Sequence, residues 1–288
     1  ESDAPKPDTP KAVVQPCSLD AEMGAAKMLM SKMTTAIADM NESLKNGGEI
    51  QSALVEPFIE ETLGSLQRND QALATLINLQ RKDQSLAKHT FATFGLALSL
   101  GIQVELSDNE KEQLGLAAFF HDAGWLKLPL NLLGKKSAYT PTEAKLVQQH
   151  IAIGKKTLTK QCDLSDDVLR IIEEHHECVN GSGYPKQIDV GLMHPLSKVF
   201  SVVVRYDELV HGLLDRPALT PNGALAVLFK EAKQGLLDTH IVSSLVSLSS
   251  VYPVGSYVQL SNKEKAKVID TFLDKLTERV KDFLDNAE

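Results

Sequence analysis

DVLRIIEEHHECVNGSGYP, residues 167–185, decides how the rest of the chain is read. Val168, Ile171, Ile172, His175 and His176 recur at steps of three and four, which puts both imidazoles on the apolar face of one helix. Two inward histidines are costly unless they bond something, and a metal ion is an efficient partner for neutral imidazole. Gly181-Ser182-Gly183-Tyr184-Pro185 then breaks the helical pattern with a turn.

Working outward, the same pattern returns. His150 shares a face with Leu146, Val147, Ile151 and Gly154. Its helix is opened by the capping box Thr140-Pro141-Thr142-Glu143 and is expected to reach about Lys160. Ser165 or Asp166 caps the next helix, which runs through Glu174. Glu110 to Phe120 goes from a polar start to an apolar end, and His121-Asp122 follow at once. A carboxylate emerging from a buried run calls for a cation, and one Asp can bridge two. His89 lies on a further helix. A lone inward histidine is more often a hydrogen-bonded core residue than a ligand. Five of them with one Asp, spread over four helices, favour a metal site. His194, His211 and His240 lack the pattern and read as surface or structural.

The bulk properties set limits. The chain has 288 residues, enough for one large domain with appendages, and its 43% hydrophobic content supports a core. A net charge of -8 argues against a nucleic-acid surface but leaves room for a small phosphorylated ligand. Cys17, Cys162 and Cys178 are scattered, without the spacing of a zinc knuckle or disulfide framework, and fit a reducing cytoplasm. The apolar stretch Phe91 to Ile102 is too short to span a bilayer.

Residues 1–16, rich in Pro and charge, read as a linker or tail. Residues 18–46 read as an amphipathic helix ended by Gly47-Gly48. Its seam is Leu19, Met23, Ala26, Met30, Met33, Ile37, Met40 and Leu44. That seam either packs on the rest of the fold or pairs two chains as a homodimer. Residues 51–116 continue as helical text. Val251 to Leu260 is strand-like, Ser261 to Glu264 could turn a hairpin or cap a helix, and a helical face resumes from Asp270. The expected architecture is all-α with a small C-terminal β element followed by a helix.

Here the motifs become specific. His121-Asp122 within HDAGWLKLP, and His175-His176-Glu177 followed by Gly181 to Pro185, resemble the HD and HHE…GSGYP signatures of the HD-GYP family. His89 within AKHT and His150 within QQHIAIGKKTL are similar to that family's remaining histidines. The resemblance runs from about residue 65 to 260. It implies an HD-domain helical bundle over 71–260, with an N-terminal helical region at 17–70 and a C-terminal extension at 261–288. It further implies bound transition metals, with iron or manganese favoured, that activate water for attack on cyclic di-GMP. The implied ligands are His89, His121, Asp122, His150, His175 and His176. Gly183, Tyr184 and Pro185 are implied to lie beside the substrate, in a loop that also contacts GGDEF-type partner domains.

Two positions depart from the family pattern. Where the family has a phosphate-binding lysine after its HD motif, this chain has Trp125, which carries no charge; Lys127, two residues on, is the candidate substitute. Where the family has a metal-binding Asp after the Gly-Tyr-Pro loop, gapless alignment gives Val204, and Asp207 three residues later points about 60° away around a helix. Ser85 stands where some members have a third-metal Glu. By the family's arrangement, one ion takes Asp122, His150, His175 and His176. The other takes His89, His121 and Asp122, without its last carboxylate. The expectation is therefore a phosphodiesterase of impaired catalysis, with Asp122 and Lys127 as its catalytic candidates, or an inactive cyclic di-GMP sensor or scaffold.

Overall fold

Small hydroxyl side chains set before polar first turns decide where several helices begin. The computed structural model describes residues 15–248, apart from 80–84, 130, 133–134, 136, 190 and 213–217, together with 257–259 and 265–267. In chain order its helices are α1 (Leu19–Lys45), α2 (Glu56–Arg68), α3 (Asp70–Leu79), α4 (Leu86–Gln103) and α5 (Asp108–Phe120). They continue with α6 (Pro141–Gln161), α7 (Asp166–Glu174), α8 (Pro195–His211), α9 (Pro221–Lys233) and α10 (Thr239–Leu248). Short 3-10 turns cover Ser52–Val55 and Ala123–Lys127. Ser107 with Glu110 and Thr140 with Glu143 form reciprocal capping boxes on α5 and α6. Ser18, Ser165 and Thr220 cap α1, α7 and α9 through their hydroxyls.

The core is built around α4. Phe91, Phe94, Leu98 and Leu100 of this helix are buried, and α5, α8, α1 and α10 pack around it. Each such side chain contributes roughly 1.5–3 kcal/mol of burial. One hydrophobic cluster runs from Ala26 of α1 to Val246 of α10. The seam of α1 is spent inside it: Ala26, Met33, Ile37, Met40 and Leu44 are buried, and the helix rests on α2, α3 and α4. A homodimer through this seam would need the face that the chain's own helices already occupy. A smaller apolar cluster of Trp125, Leu128, Leu132 and Val147 sits between the second 3-10 turn and α6.

Helix α7 stops at Glu174, the expected end, so His175 caps it and His176 lies in the turn beyond, although the periodicity had set both on the helix's apolar face. The turn closes with Glu177 N donating to Glu174 O at 2.8 Å. Near the C-terminus, Tyr257–Gln259 pairs antiparallel with Lys265–Lys267. The helical face expected from Asp270 lies outside the described residues. Among the described residues, no helix is long and apolar enough to cross a membrane.

Candidate metal centre

Five histidines from α4, α5, α6 and the end of α7 meet in the interior around Asp122. The local causes are visible in the chain. The buried run of α5 ends at His121, its C-cap, and Asp122 opens the 3-10 turn directly after it. Gly124 then lets that turn lie against α6: a Cβ there would stand 1.8 Å from His150 O. This close approach brings Asp122 and His150 together, with Asp122 Oδ1 3.8 Å from His150 Nε2. His89, on the first turns of α4, puts Nε2 3.2 Å from His121 Nε2 and 3.1 Å from Asp122 Oδ2.

The backbone fixes which nitrogen of each ring is free. Nδ1 of His121, His150 and His175 lies 2.9, 2.7 and 2.6 Å from the carbonyl oxygen three residues earlier, of Ala118, Val147 and Ile172. A carbonyl only accepts, so each Nδ1 carries the hydrogen and each Nε2 offers a lone pair. His89 follows the same rule through a side chain, its Nδ1 donating to the carboxylate of Asp207. The consequence is a direct test of fit for a cation. His150 Nε2 and His175 Nε2 are both acceptors at 3.4 Å, and once His89 is neutral so are His89 Nε2 and His121 Nε2 at 3.2 Å. Such pairs repel unless a positive charge lies between them, and neutral imidazole with carboxylate is the donor set of a divalent transition ion. Two sets could hold one: His89, His121 and Asp122, and His150, His175 and His176. Asp122 reaches the first through Oδ2 and the second through Oδ1.

The protonation states of four of the five imidazoles agree. Burial pushes His121 down to about 4 and lowers His150, His175 and His176. Burial opposes the charge on Asp122, but the imidazoles around it outweigh that and hold its carboxyl well below the usual range. His89 differs. Burial would keep it neutral, yet Asp207 and Asp122 raise it to about 10, so without a metal the positive charge of this centre rests there. An ion held by His89 would displace that proton.

The structure corrects one sequence expectation and places several other residues. Lys127 does not face the centre: it is exposed, and its Nζ donates to Lys45 O at 3.0 Å. It caps the end of α1, which removes it as a catalytic candidate. Trp125 is buried and stacks on the His150 ring, centroids 5.3 Å apart at 22°. Val204 packs in the apolar core. Asp207 binds Nδ1 of His89, on the ring edge away from the donor set, and is itself held by His211 Nδ1 at 2.9 Å. Asp207 therefore orients the ring of a candidate ligand and does not itself face the donor set, as its angle to Val204 on α8 implies. His211 is its buried brace, and His194 is the N-cap of α8.

The loop after α7 has its own fastener. Glu177 is buried and accepts the backbone N–H groups of Lys186, Gln187 and Ile188 at 2.6, 3.1 and 3.4 Å. Gly183 crosses so close to Glu177 and Cys178 that a Cβ would stand 2.3 Å from Cys178 N. The Tyr184 ring, followed by Pro185, stacks on His176 at 4.7 Å and 20°. A cavity of about 430 Å³ opens here, lined by His175, His176, Gly183, Tyr184, Arg205 and Glu208 among others. Sequence reasoning passed over Arg205, Glu208 and Glu231. Arg205 is bound by Glu231 at 2.6 Å and touches Glu208 at 3.3 Å. Burial raises the Glu208 carboxyl to about 7, even with Arg205 beside it.

An all-helical bundle with a His/Asp centre beside a Gly-Tyr-Pro loop defines a class. The HD domain family model matches residues 67–241, and the chain belongs to that family, in its HD-GYP branch. Among individual relatives, the chain is 29% identical, over 92% of its length, to the cyclic di-GMP phosphodiesterase PA4108 of Pseudomonas aeruginosa, and covers 64% of that protein. It is 26% identical, over 54% of its length, to the 3'3'-cGAMP-specific phosphodiesterase 1 of Vibrio cholerae, of which it covers 35%. The chain thus spans less than two thirds of either relative. A solved structure, Bd1817, a HDG"Y"P protein from Bdellovibrio bacteriovorus, shares the fold with a TM-score of 0.64 at 21% identity, covering 78% of this chain and 71% of that one.

Proposed function

We propose that this chain is a metal-dependent HD-GYP domain that takes cyclic di-GMP into the cavity beside Tyr184 and hydrolyses it slowly. The observation that carries this reading is the pair of donor sets joined by Asp122, one of which opens into a cavity lined by His175, His176 and Tyr184. A divalent ion held there supplies Lewis-acid charge to a phosphoryl group. The chain's residues do the rest. Asp122 spans both sets, the i-3 carbonyls and Asp207 fix the imidazole tautomers, and Glu177 pins the loop that carries Tyr184. The relatives named as cyclic di-GMP and cGAMP phosphodiesterases support a cyclic dinucleotide as the substrate class.

Two features support slow turnover. Trp125 brings no charge to the scissile phosphate, and the His89/His121 set has Val204 where a second carboxylate is expected. A second reading, an inactive cyclic di-GMP sensor or scaffold, is favoured by the same two positions, Trp125 and Val204, if together they abolish turnover. The test is linear dinucleotide release by purified protein loaded with Mn(II) or Fe(II), alongside the dissociation constant for cyclic di-GMP. Binding with slow release is expected. Binding without release selects the sensor, and a protein that takes up neither ion nor nucleotide overturns both readings. Val204→Asp combined with Trp125→Lys is expected to raise the rate.

A further inference from the structure

Glu208 is a carboxylate in the wrong place for a phosphate site. It lies one helical turn beyond Val204 on the same face of α8, buried, and lines the cavity together with His176 and Tyr184. Its two oxygens have separate surroundings. Oε2 is held by Arg205 Nη1 at 3.3 Å, and Arg205 is anchored in turn by three contacts to Glu231 between 2.6 and 3.3 Å. Oε1 is aimed at His176 Nδ1, 3.8 Å away. That distance is too long for a hydrogen bond. It matches the 3.8 Å between Asp122 Oδ1 and His150 Nε2, and neighbouring donors on one ion stand roughly 3–4 Å apart given bonds of about 2.0–2.2 Å. The three imidazoles of this set are neutral, so only the share of Asp122 that reaches it balances a divalent charge.

We infer that Glu208 is an additional ligand of the ion held by His150, His175 and His176, taking the cavity-side position that a phosphate oxygen would otherwise occupy. Arg205 and Glu231 form the brace that keeps it aimed. A catalytic metal site keeps one position open, whereas a site filled by protein donors is closed. This chain thus carries its own competitor for the substrate phosphate, a carboxylate that must swing away before an anion binds. The inference rests on the metal centre proposed above and adds a residue that the sequence pattern of the family does not supply.

The experiment uses the full chain and two readouts other than turnover: Mn(II) per chain with its affinity, and the binding of inorganic phosphate to the Mn(II)-loaded protein. Glu208→Gln keeps the shape and removes the charge. The expected result is a roughly tenfold or greater loss of Mn(II) affinity together with tighter phosphate binding. Equal Mn(II) affinity in variant and wild type overturns the inference and leaves the metal centre standing. A wild type that binds no Mn(II) overturns the centre itself. Should Glu208→Gln fold poorly, the Co(II)-loaded wild type answers alone. With Glu208 bound, millimolar phosphate leaves its visible absorption unchanged; a shift at micromolar phosphate means the position is open and the inference wrong.

Discussion

Replacing Gly124 by Ala tests whether backbone contact between the second 3-10 turn and α6 assembles the metal centre. An alanine Cβ would stand 1.8 Å from His150 O and 2.7 Å from Gly154 N, where real Cβ atoms essentially never come within 3.0 Å. Both obstacles are backbone, so no side-chain rotation relieves them, and the turn and helix must part by about 1.2 Å. Overpacking of this kind costs about 1–3 kcal/mol of stability. The separation falls directly on Asp122 and His150, two residues before the glycine and on the facing helix, whose donors are 3.8 Å apart. Metal sites tolerate about 0.2 Å. The set containing His150 is therefore expected to lose about 10–100-fold in affinity, or roughly 1.4–2.8 kcal/mol. Gly154→Ala probes the same contact more gently, since its Cβ would meet Gly124 N at 3.1 Å. The assay is ion count per chain against free Mn(II), with urea unfolding of the metal-free protein. Gly124→Ala with wild-type affinity and stability, or an effect no larger than that of Gly154→Ala, refutes the reasoning.

Chelation should lower the melting temperature, because an ion at a hundredfold excess over its dissociation constant stabilises by about 2.7 kcal/mol; an unchanged melting curve after EDTA would count against a bound ion. Glu177→Gln should weaken three hydrogen bonds to a carboxylate and cost about 1–3 kcal/mol, read as faster amide exchange at Lys186, Gln187 and Ile188; unaltered exchange would show that the loop is held by something else. Arg68→Ala strands the buried Glu22 carboxylate and should cost about 2–3 kcal/mol near neutral pH, allowing for the partial exposure of Arg68. The Arg68 bond outweighs burial and holds the Glu22 carboxyl below its ordinary 4.5, so the pair's stabilisation is complete above that pH and fades as pH falls through the lowered folded value. Urea unfolding across that range should show wild type and variant converging in acid; a constant gap would assign the loss to packing. Trp125→Lys by itself should cost about 3 kcal/mol in unfolding experiments, since it buries an amine among Leu128, Leu132 and Val147 and ends the stack on His150.

Legibility in the sequence followed the range of the interactions. Helix α6 could be bounded closely because Thr140, Pro141 and Glu143 are a local device, and α7 is capped by Ser165, one of the two caps the sequence offered, for the same reason. His150 announced itself by sharing a face with buried residues and His121 by following a buried run, whereas His89 was recognised only through its likeness to the family's first histidine. What depended on distant backbone did not appear. Lys127 looked like a stand-in for a phosphate-binding lysine, and nothing nearby reveals that its partner is a carbonyl 82 residues away. Asp207 could be excluded as a direct ligand from its angle to Val204, yet its bond to His89 spans 118 residues. Glu208, one turn from Val204, was passed over, because its meaning depends on Arg205 being drawn to Glu231 on α9. His175 was set on the helix's apolar face because the periodicity continues through it, although the helix ends at Glu174 as expected and His175 is its cap.

The bond from Lys127 to the last turn of α1 has a mechanical meaning. The 3-10 segment that it anchors begins beside Asp122, the carboxylate common to both donor sets, and α1 packs against that segment as well as against α4, which carries His89. The amino-terminal helix is thus coupled at its far end to the floor of the metal centre by one lysine tether and a shared wall of methionine and leucine. A displacement of α1 would therefore be passed first to the 3-10 turn that begins beside Asp122.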